Sequence, residues 1–285
     1  MVDIHAFSRL LSTGMNTSPS IFPPDYHSHT WLCKHAYGEP SDYAAAATAA
    51  GLPEIACTDH CPTPIGFAPE VRMEPHEFDL YRDWVMKARA EHGIDILFGV
   101  EADYHDGCEE YLEPFLKEQP LDIVLGSVHY LAYDPDGQPP VKGLWETDDA
   151  EGNWKKYLDR VARMTDTGLY DVAGHLDLPK RFGGRPDPGL IDELMPPVMQ
   201  RIANAGMAVE INTSGFRHLP GEQYPSLQIL NMASELEIPV TFGSDAHTPT
   251  NVGQYFEEAV ILARRAGYTH YLQFKERQGT PAPLP

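Results

Sequence analysis

Short apolar runs alternate with longer amphipathic stretches from about residue 24 to residue 267, and no other feature constrains the fold of this 285-residue chain as strongly. The pattern is typical of parallel strands joined by helical crossovers. It predicts strands near residues 24–27, 54–59, 95–101, 122–128, 171–175, 208–212 and 239–244. It predicts helices near residues 41–50, 75–92, 108–118, 149–167, 189–205, 225–237 and 254–266. The sequence therefore predicts an α/β fold of seven βα units, and a single barrel would use nearly the whole chain.

Local signals predict where some of these elements end. Ser41 is expected to cap the N-terminus of the first helix, and Gly51 is expected to end it. The run PAPLP at residues 281–285 cannot continue a helix or a strand ladder, because proline lacks a backbone N–H. We therefore expect this tail to be loose.

One domain explains the alternation better than two, because no linker rich in Pro, Gly or Ser divides it. Residues 1–21 show no periodicity and Met15 offers a second start, so we expect a disordered arm or a misassigned start there, followed by one domain over residues 22–285. Two irregular stretches, 61–74 and 131–148, are rich in Pro, Gly and aromatic residues. Loops of that length in a compact domain tend to be functional lids.

Charge and composition exclude several classes of partner. With 21 basic and 42 acidic residues the net charge is −21, which is the wrong sign for wrapping a nucleic acid backbone. No run approaches the ~20 apolar residues of a membrane span, and the first residues do not form a secretory signal, so we expect a cytoplasmic protein without membrane contact. The four cysteines form no C-x-x-C pair and are expected to be reduced thiols. The composition leaves the oligomeric state open.

Metal-type ligands fall at or just beyond the C-terminal ends of six predicted strands. In a parallel barrel these ends open on one face, which is where barrel active sites lie. The residues concerned are His27, His29, His35, Asp59, His60, Glu101, His129, His175, Asp245 and His247. The other six histidines lie in the arm, on helices or in loops without a partner pattern, and we expect them to be bystanders.

The ligand types indicate which metals the cluster would bind. Imidazole and carboxylate without thiolate suit Zn, Fe or Mn, and the set is too rich in nitrogen for a dedicated Ca or Mg site. The two carboxylates of Glu101 and Asp245 and the seven imidazoles are too many for a single ion, but they suffice for two or three divalent ions if a carboxylate bridges. Clustered divalent ions can hold a phosphoryl group, supply a nucleophile near neutral pH and stabilise a leaving oxygen.

Seven runs carry a resemblance to a known family: DYHSHTWLCKHA (25–36), CTDHCP (57–62), FGVEADY (98–104), GSVHYL (126–131), AGHLDLPKRF (173–182), EINTSGFR (210–217) and FGSDAHTPTNVG (242–253). In order, they resemble the motifs of the PHP (polymerase and histidinol phosphatase) superfamily. More narrowly, they are similar to its monofunctional histidinol-phosphate phosphatase branch. The resemblance covers roughly residues 24–253, and the runs EINTSGFR and GHLDL with the basic residues that follow are its most specific parts.

The resemblance implies a distorted seven-stranded (β/α)7 barrel of the PHP type with a trinuclear metal centre. His27, His29, Glu101 and Asp245 would hold the first ion. Glu101 would bridge to a second ion. His129 and His175 would complete the site of the second ion. The third ion would be held by His35, His60 and His247.

The resemblance also implies which residues meet the substrate. Arg217 would grip the phosphate, together with Arg181 in preference to Lys180. We assign the catalytic role to Glu101, Asp245 and Asp59. Two further residues, Asn212 and Asp177, are expected to contact the substrate, and with Asp59 they could equally support the ligands from behind or pair with an ammonium group.

The function expected from this resemblance is metal-dependent hydrolysis of L-histidinol phosphate to L-histidinol and phosphate in histidine biosynthesis. A PHP phosphatase for another small phosphate ester or nucleotide is the first alternative. An exonuclease or polymerase-associated module is disfavoured by the net charge of −21. A barrel with a structural or vestigial metal site is disfavoured because all nine ligand positions are filled by usable ligands.

Overall fold

Six parallel strands form one sheet whose strand order follows the chain. The computed structural model describes residues 22–64, 66–131, 149–182 and 184–285. The strands are β1 (Glu54–Cys57), β2 (Asp95–Asp103), β3 (Ile123–Ser127), β4 (Val172–Ala173), β5 (Ala208–Asn212) and β6 (Val240–Gly243). All but the first residues of β1 and β2 are buried, as expected for parallel strands covered on both faces. The predicted α/β class is therefore confirmed.

Seven helices follow the predicted pattern around this sheet. They are α1 (Pro40–Ala50), α2 (Phe78–Glu91), α3 (Glu109–Glu118), α4 (Ala150–Asp166), α5 (Pro188–Ala205), α6 (Leu227–Glu235) and α7 (Phe256–Arg265). Their apolar faces and the outward faces of the strands share one large core. None of the helices in the described ranges has both the length and the apolar character to cross a bilayer.

The first strand was predicted near residues 24–27. Residues 25–29 form isolated bridges there rather than a regular strand. The amide of Ala56 donates to the carbonyl of Asp25 at 2.8 Å, on the β1 side. The amide of Tyr26 donates to the carbonyl of Phe242 at 2.9 Å, on the β6 side. The segment therefore lies between the two edge strands of the sheet, which curls round to meet it.

The start of α1 differs from the prediction, whereas its end agrees. Glu39 is the N-cap residue and forms a capping box with Asp42, so Ser41 lies inside the helix and the prediction for Ser41 is wrong. The helix begins early because Pro40 has a backbone conformation suited to the first helical position. Gly51 ends the helix as predicted, with a left-handed φ of 73° that glycine adopts without strain.

The C-terminal tail is ordered, and the prediction that it is loose is wrong. Strand β7 (His270–Lys275) pairs antiparallel with β8 (Gln278–Pro283). The two-residue turn has positive φ at both Glu276 and Arg277, as in the tight turns that match strand twist. Pro281 and Pro283 occupy alternate positions of an edge strand, where their missing N–H groups point away from the partner.

This hairpin covers the floor of the sheet, at the N-terminal ends of its strands. Phe274 packs into a small second core with Tyr26, and their rings meet edge to face at 6.1 Å. Arg277 donates to the carboxylate of Asp171 at 3.0 Å and to the carbonyl of Leu169 at 2.6 Å. The end of the sheet that remains open is therefore the one formed by the C-terminal ends of the strands.

Some sequence predictions are not tested by this fold. Residues 1–21 and 132–148, which include the predicted arm and most of one predicted lid, lie outside the described residues. The other predicted lid, 61–74, is described except for residue 65 and contains a short 3₁₀ turn at Pro69–Val71. The four cysteines are buried and unpaired, as predicted.

We predict that Phe274→Ala lowers the free energy of unfolding by about 3–5 kcal/mol, because it empties the centre of the floor core. Ile261→Ala is the control, since Ile261 is 57% exposed on α7 and its loss is expected to change stability by no more than about 0.5 kcal/mol. Urea unfolding followed by circular dichroism measures both. A cost for Phe274→Ala as small as that of the control would contradict the floor packing.

Candidate metal centre

The nine predicted metal ligands converge at the open end of the sheet, around a cavity of about 710 Å³. Eight of them line this cavity, and the ninth, His27, is fully buried directly beneath. They come from different strand ends, as the sequence pattern predicts. The lining ligands are His29, His35, His60, Glu101, His129, His175, Asp245 and His247.

The carboxylate of Glu101 lies at the middle of the cluster. Its Oε2 atom is 2.9 Å from Nδ1 of His60 and 3.5 Å from Nε2 of both His27 and His29. Its Oε1 atom is 3.0 Å from Nε2 of His175. Both oxygens therefore face imidazole nitrogens on opposite sides, which is the arrangement that a bridging carboxylate requires.

The surroundings of Glu101 favour its ionised form. Burial alone would raise the pKa of this carboxyl, but the imidazoles of His60, His27 and His129 hold it well below the usual range. Oε2 is buried yet accepts no hydrogen bond from any described residue. A buried anionic oxygen that accepts no hydrogen bond needs a nearby cation. A metal ion bound by the surrounding imidazoles and carboxylates would be that cation.

Asp245 forms the second anionic side of the cluster. Its Oδ1 atom lies 3.4 Å from Nε2 of His29 and 3.4 Å from Nδ1 of His247. Its Oδ2 atom accepts from Ser214 at 3.1 Å and faces the amide of Asn212 at 3.4 Å. Asp245 also has a φ of 52°, a strained conformation for a non-glycine residue, which turns its side chain into the cavity.

One histidine pair indicates directly that the cavity is arranged for a cation. Nδ1 of His35 lies 2.6 Å from the carbonyl oxygen of Cys33, and Nδ1 of His247 lies 3.1 Å from the carbonyl oxygen of Asp245. Because a carbonyl oxygen can only accept, each Nδ1 carries the proton and each Nε2 presents a lone pair. The two Nε2 atoms are 2.9 Å apart. These lone pairs repel each other unless a cation lies beside them.

Burial keeps these imidazoles neutral, which is the form that binds metal. It lowers the pKa of His29 to about 3, with His60 acting in the same direction. It lowers the pKa of His60 and of His247 to about 4. The pKa of His35 is also lowered, by burial and by the neighbouring His247.

Glu210 supports two of the ligands from behind, and the sequence analysis did not single it out. Its Oε1 atom lies 2.6 Å from Nδ1 of His27, and its Oε2 atom accepts from the amide of His175 at 2.9 Å. A Cβ at Gly243 would come within 2.3 Å of Oε1, so this carboxylate also explains a glycine. The available signal was a glutamate between two apolar residues in the middle of strand β5.

Asp103 stands behind His129 in the same way, with Oδ1 2.6 Å from Nδ1 of that ring. Burial alone would raise the pKa of Asp103, but His129 and Arg72 hold it well below the usual range. The signal in the sequence was its position two residues after Glu101 at the end of β2. The two residues point to the same face because side chains alternate along a strand.

Two of the predicted phosphate contacts line the cavity. Nη2 of Arg217 donates to the carbonyls of Ser244 at 2.5 Å and of Asp245 at 3.1 Å. Nη1 of Arg217 is buried without a partner among the described residues. Arg181 lies on the same wall and is partly exposed, whereas Lys180 is buried and pairs with Asp177 at 2.8 Å.

The structure places the other predicted site residues behind the cavity wall. Asp59 is fully buried, and both of its oxygens accept from Thr30, whose amide lies 2.6 Å away. Burial raises the pKa of Asp59 to about 7, although these hydrogen bonds oppose the rise. Asp177 accepts from the amide of Ser226 at 2.8 Å as well as from Lys180. Asn212 orients Ser214 at 2.7 Å.

Among the lining residues that the sequence analysis did not single out are Arg72, Tyr130 and His218. His218 was expected to be a bystander, but it lies on the wall that carries Arg181 and Arg217. Burial and the charge of Arg181 lower the pKa of His218 to about 4, so it is neutral at physiological pH. Its sequence signal was weak, since a single histidine one residue after the NTSGFR run matches no ligand spacing.

Comparison with known families places this geometry in context. The PHP domain family matches residues 25–214, and the PHP-associated family matches residues 227–259. The chain is 37% identical to a probable histidinol-phosphatase of Deinococcus radiodurans over 90% of this chain and 98% of that protein. It is 30% identical to a probable phosphatase of Thermoanaerobacter sp. over 87% of this chain and 88% of that protein.

A solved structure shares the fold. It is the histidinol phosphate phosphatase of Lactococcus lactis, in complex with zinc, L-histidinol and phosphate. The TM-score is 0.75 at 22% sequence identity, over 90% of this chain and 98% of that chain. At this identity the likeness concerns the arrangement of strands and helices.

We predict that Glu101→Gln reduces the number of divalent ions retained per chain, because it removes the anionic oxygen that would hold two cations together. Elemental analysis after desalting measures the retained metal. Glu113→Gln is the matched control, because Glu113 is exposed on α3 and pairs only with Lys117 among the described residues. Equal metal content in wild type and Glu101→Gln would contradict the bridging role.

Proposed function

This chain belongs to the PHP domain family, and from that premise we propose that it is a metal-dependent phosphomonoesterase that hydrolyses L-histidinol phosphate to L-histidinol and phosphate. The observation that carries the proposal is the meeting of two features in one cavity. On one side are two neutral imidazoles, those of His35 and His247. Their Nε2 atoms are 2.9 Å apart, and the lone pairs of these atoms face each other. On the other side Arg217 presents a buried N–H group without a partner among the described residues.

Two to three divalent ions, zinc, iron or manganese, fit this donor set. The first would be held by His27, His29, Glu101 and Asp245. The others would be held by Glu101 with His129 and His175, and by His35, His60 and His247. When bound, such ions supply Lewis acidity at the phosphoryl group and a nucleophile near neutral pH.

The fold in finer detail is proposed to be the distorted (β/α)7 barrel of the PHP type. Residues 25–29 then serve as the seventh strand, since their backbone bonds to β1 and to β6 complete the ring. This position explains why His29 lines the cavity and His27 lies directly beneath it. They lie at the C-terminal end of that strand, like the other ligands at theirs.

Arg217 and Arg181 are proposed to bind the phosphate of the substrate. The protein carries a net charge of −21, so a phosphate ester approaches against the overall field and needs local positive charge. The backbone carbonyls of Ser244 and Asp245 hold Nη2 of Arg217, which leaves Nη1 for the ligand. Arg181 adds a second guanidinium on the same wall.

The leaving group would extend toward the opposite wall, which carries Val71, Arg72 and Tyr130. The cavity of about 710 Å³ has room for a small organic phosphate and belongs to the size range of small-molecule sites. A nucleotide or another small phosphate ester is the second candidate. It is favoured by the 30% identical relative that is named only as a probable phosphatase.

We predict that the wild-type enzyme prefers L-histidinol phosphate over p-nitrophenyl phosphate in kcat/KM, although the aryl ester has the better leaving group. The reason is that contacts to the imidazole and ammonium ends strengthen binding of the transition state. Phosphate release from a panel of esters and nucleoside monophosphates measures the ranking. A tenfold preference for the aryl ester or a nucleotide would show that L-histidinol phosphate is not the preferred substrate. The enzyme would then still be assigned as a metal-dependent phosphatase.

We predict that Arg217→Ala or Arg181→Ala lowers kcat/KM by about 10- to 150-fold, because a charge-assisted hydrogen bond contributes about 1.5–3 kcal/mol. Metal content is expected to stay unchanged, since neither side chain is a ligand. Arg185→Ala is the control, because Arg185 is largely exposed and pairs with Glu222 away from the cavity. Loss of metal together with activity would mean that these arginines support the fold of the site instead.

A further inference from the structure

Asp103 is shared between a proposed metal ligand and a buried arginine. One carboxylate oxygen, Oδ1, lies 2.6 Å from Nδ1 of His129, and the other, Oδ2, accepts from Nη2 of Arg72 at 2.7 Å. Asp103 is 2% exposed. With one partner on each oxygen, the carboxylate has a fixed plane, and that plane fixes the direction in which Nε2 of His129 points.

Arg72 is held as firmly as Asp103, although arginine is rarely buried. It is 2% exposed, and its three nitrogens each have a protein acceptor. Nε donates to the carbonyl of Ala68 at 3.2 Å, and Nη1 donates to the carbonyl of Cys61 at 3.0 Å. The guanidinium carbon also lies 5.0 Å from the centroid of the Phe67 ring. These contacts leave Arg72 no freedom to follow Asp103 if that carboxylate moves.

The carbonyl acceptors of Arg72 belong to the loop 61–74, which contributes Val71 to the cavity wall opposite the arginines. Ala68, whose carbonyl accepts from Nε, has a φ of 43°, a strained value for alanine. The guanidinium thus ties the loop to the end of β2, where the amide of Cys61 also donates to the carbonyl of Glu101 at 2.7 Å. A buried charge at this point is costly unless it is fully paired, so the pairing has a role beyond filling space.

We propose that Arg72 is a positioning residue for the metal centre, acting through Asp103 on His129 and coupling the loop 61–74 to the geometry of that ligand. The inference rests on the proposed function only in taking His129 as a metal ligand. Arg72 pairs with one oxygen of Asp103 at 2.7 Å and so holds the carboxylate in place behind His129. The ring then keeps its proton on Nδ1 and its lone pair on Nε2, toward Glu101 at 3.6 Å.

The position of Arg72 on the cavity wall leaves one competing role, which is direct contact with the substrate. Its three nitrogens already have protein acceptors among the described residues. A substrate contact would have to use the second N–H of Nη1 or Nη2, on a nitrogen that already donates to a protein acceptor. Arg217 differs, since its Nη1 has no acceptor among the described residues. The geometry favours positioning for Arg72 and ligand binding for Arg217.

The test measures zinc affinity of the whole protein without substrate, by competition with a chromogenic chelator. Asp103→Asn is expected to weaken the affected zinc site by about 10- to 100-fold, the usual effect of losing the hydrogen-bond partner behind a ligating histidine. Arg72→Met should weaken the same site in the same direction. In the double variant the loss should match the larger single loss, because Arg72 acts through Asp103.

Arg89→Met is the matched control. Arg89 also pairs with a carboxylate, that of Asp122, and also donates to a backbone carbonyl, that of Ile96. These contacts lie near the opposite end of the sheet, so the control should lose thermal stability while its zinc affinity stays at the wild-type value. Arg72→Lys is the conservative variant, and it should recover part of the affinity by restoring the charge beside Asp103. If Arg72→Met does not fold, Arg72→Lys and Asp103→Asn carry the comparison.

Kinetics with added zinc distinguish the two roles. If Arg72 positions the ligand, excess zinc restores much of the kcat of Arg72→Met, and KM stays close to wild type. A raised KM that excess zinc does not lower, with unchanged zinc affinity, would overturn the proposal and make Arg72 a substrate contact. Losses that multiply in the double variant would also overturn it. Because the zinc competition uses no substrate, failure of the wild type to hydrolyse L-histidinol phosphate would count against the proposed function alone.

Discussion

The buried carboxylate of Glu101 is the constraint on which the rest of the site depends. It is 1% exposed at the end of a central strand, and imidazole nitrogens face both of its oxygens. A buried carboxylate is stable only if positive charge or donors surround it. The histidines that end the neighbouring strands surround this carboxylate, and a bound divalent cation would balance its charge. The imidazole lone pairs are aimed at the same small volume.

That solution creates a second demand, because the imidazoles themselves must be held in one orientation and one protonation state. Glu210 behind His27 and Asp103 behind His129 serve this purpose at 2.6 Å each. Backbone carbonyls do the same for His35 and His247. Each partner accepts a hydrogen bond from the N–H group of one ring nitrogen, which leaves the lone pair of the other nitrogen available to a metal. The cost is additional buried negative charge, which Arg72 offsets beside Asp103.

The sequence predicted that these side chains meet in one cavity, because the position of each depends on where a strand ends. His129 and His175 come directly after apolar runs, and parallel strands place such residues on one face. The supporting partners could not be predicted this way. Arg72 and Asp103 are 31 residues apart, and nothing in the spacing shows that a loop arginine turns inward to meet a strand end. Two predictions failed for a similar reason. Ser41 is not the N-cap because helix α1 begins at Pro40, and the C-terminal tail is ordered because it pairs as a strand with β7.

In the C-terminal hairpin, prolines at every second position of β8 conceal the strand pattern in the sequence. Pro281 and Pro283 suggest irregular backbone, yet their spacing of two leaves Gln278, Thr280 and Ala282 opposite Lys275, Gln273 and Tyr271. An edge strand needs donors on one side only, so alternate prolines are compatible with it. The floor that this hairpin forms has a consequence for the site at the other end. Tyr26 contacts Phe274 there and is followed directly by His27, so the small core beneath the sheet and a fully buried proposed metal ligand share one short segment.

The phosphate side and the metal side of the cavity are also joined through the backbone. Arg217 donates to the carbonyls of Ser244 and Asp245, and Asp245 is itself a proposed ligand with a strained φ of 52°. Ser214, three residues before Arg217, donates to the carboxylate of the same Asp245 at 3.1 Å. The short 3₁₀ helix Thr213–Arg217 therefore holds Asp245 at both its backbone and its side chain. Arg217 bonds to backbone carbonyls, whereas Ser214 bonds to the carboxylate of Asp245, so loss of the arginine side chain leaves the bond to the proposed metal-binding carboxylate in place.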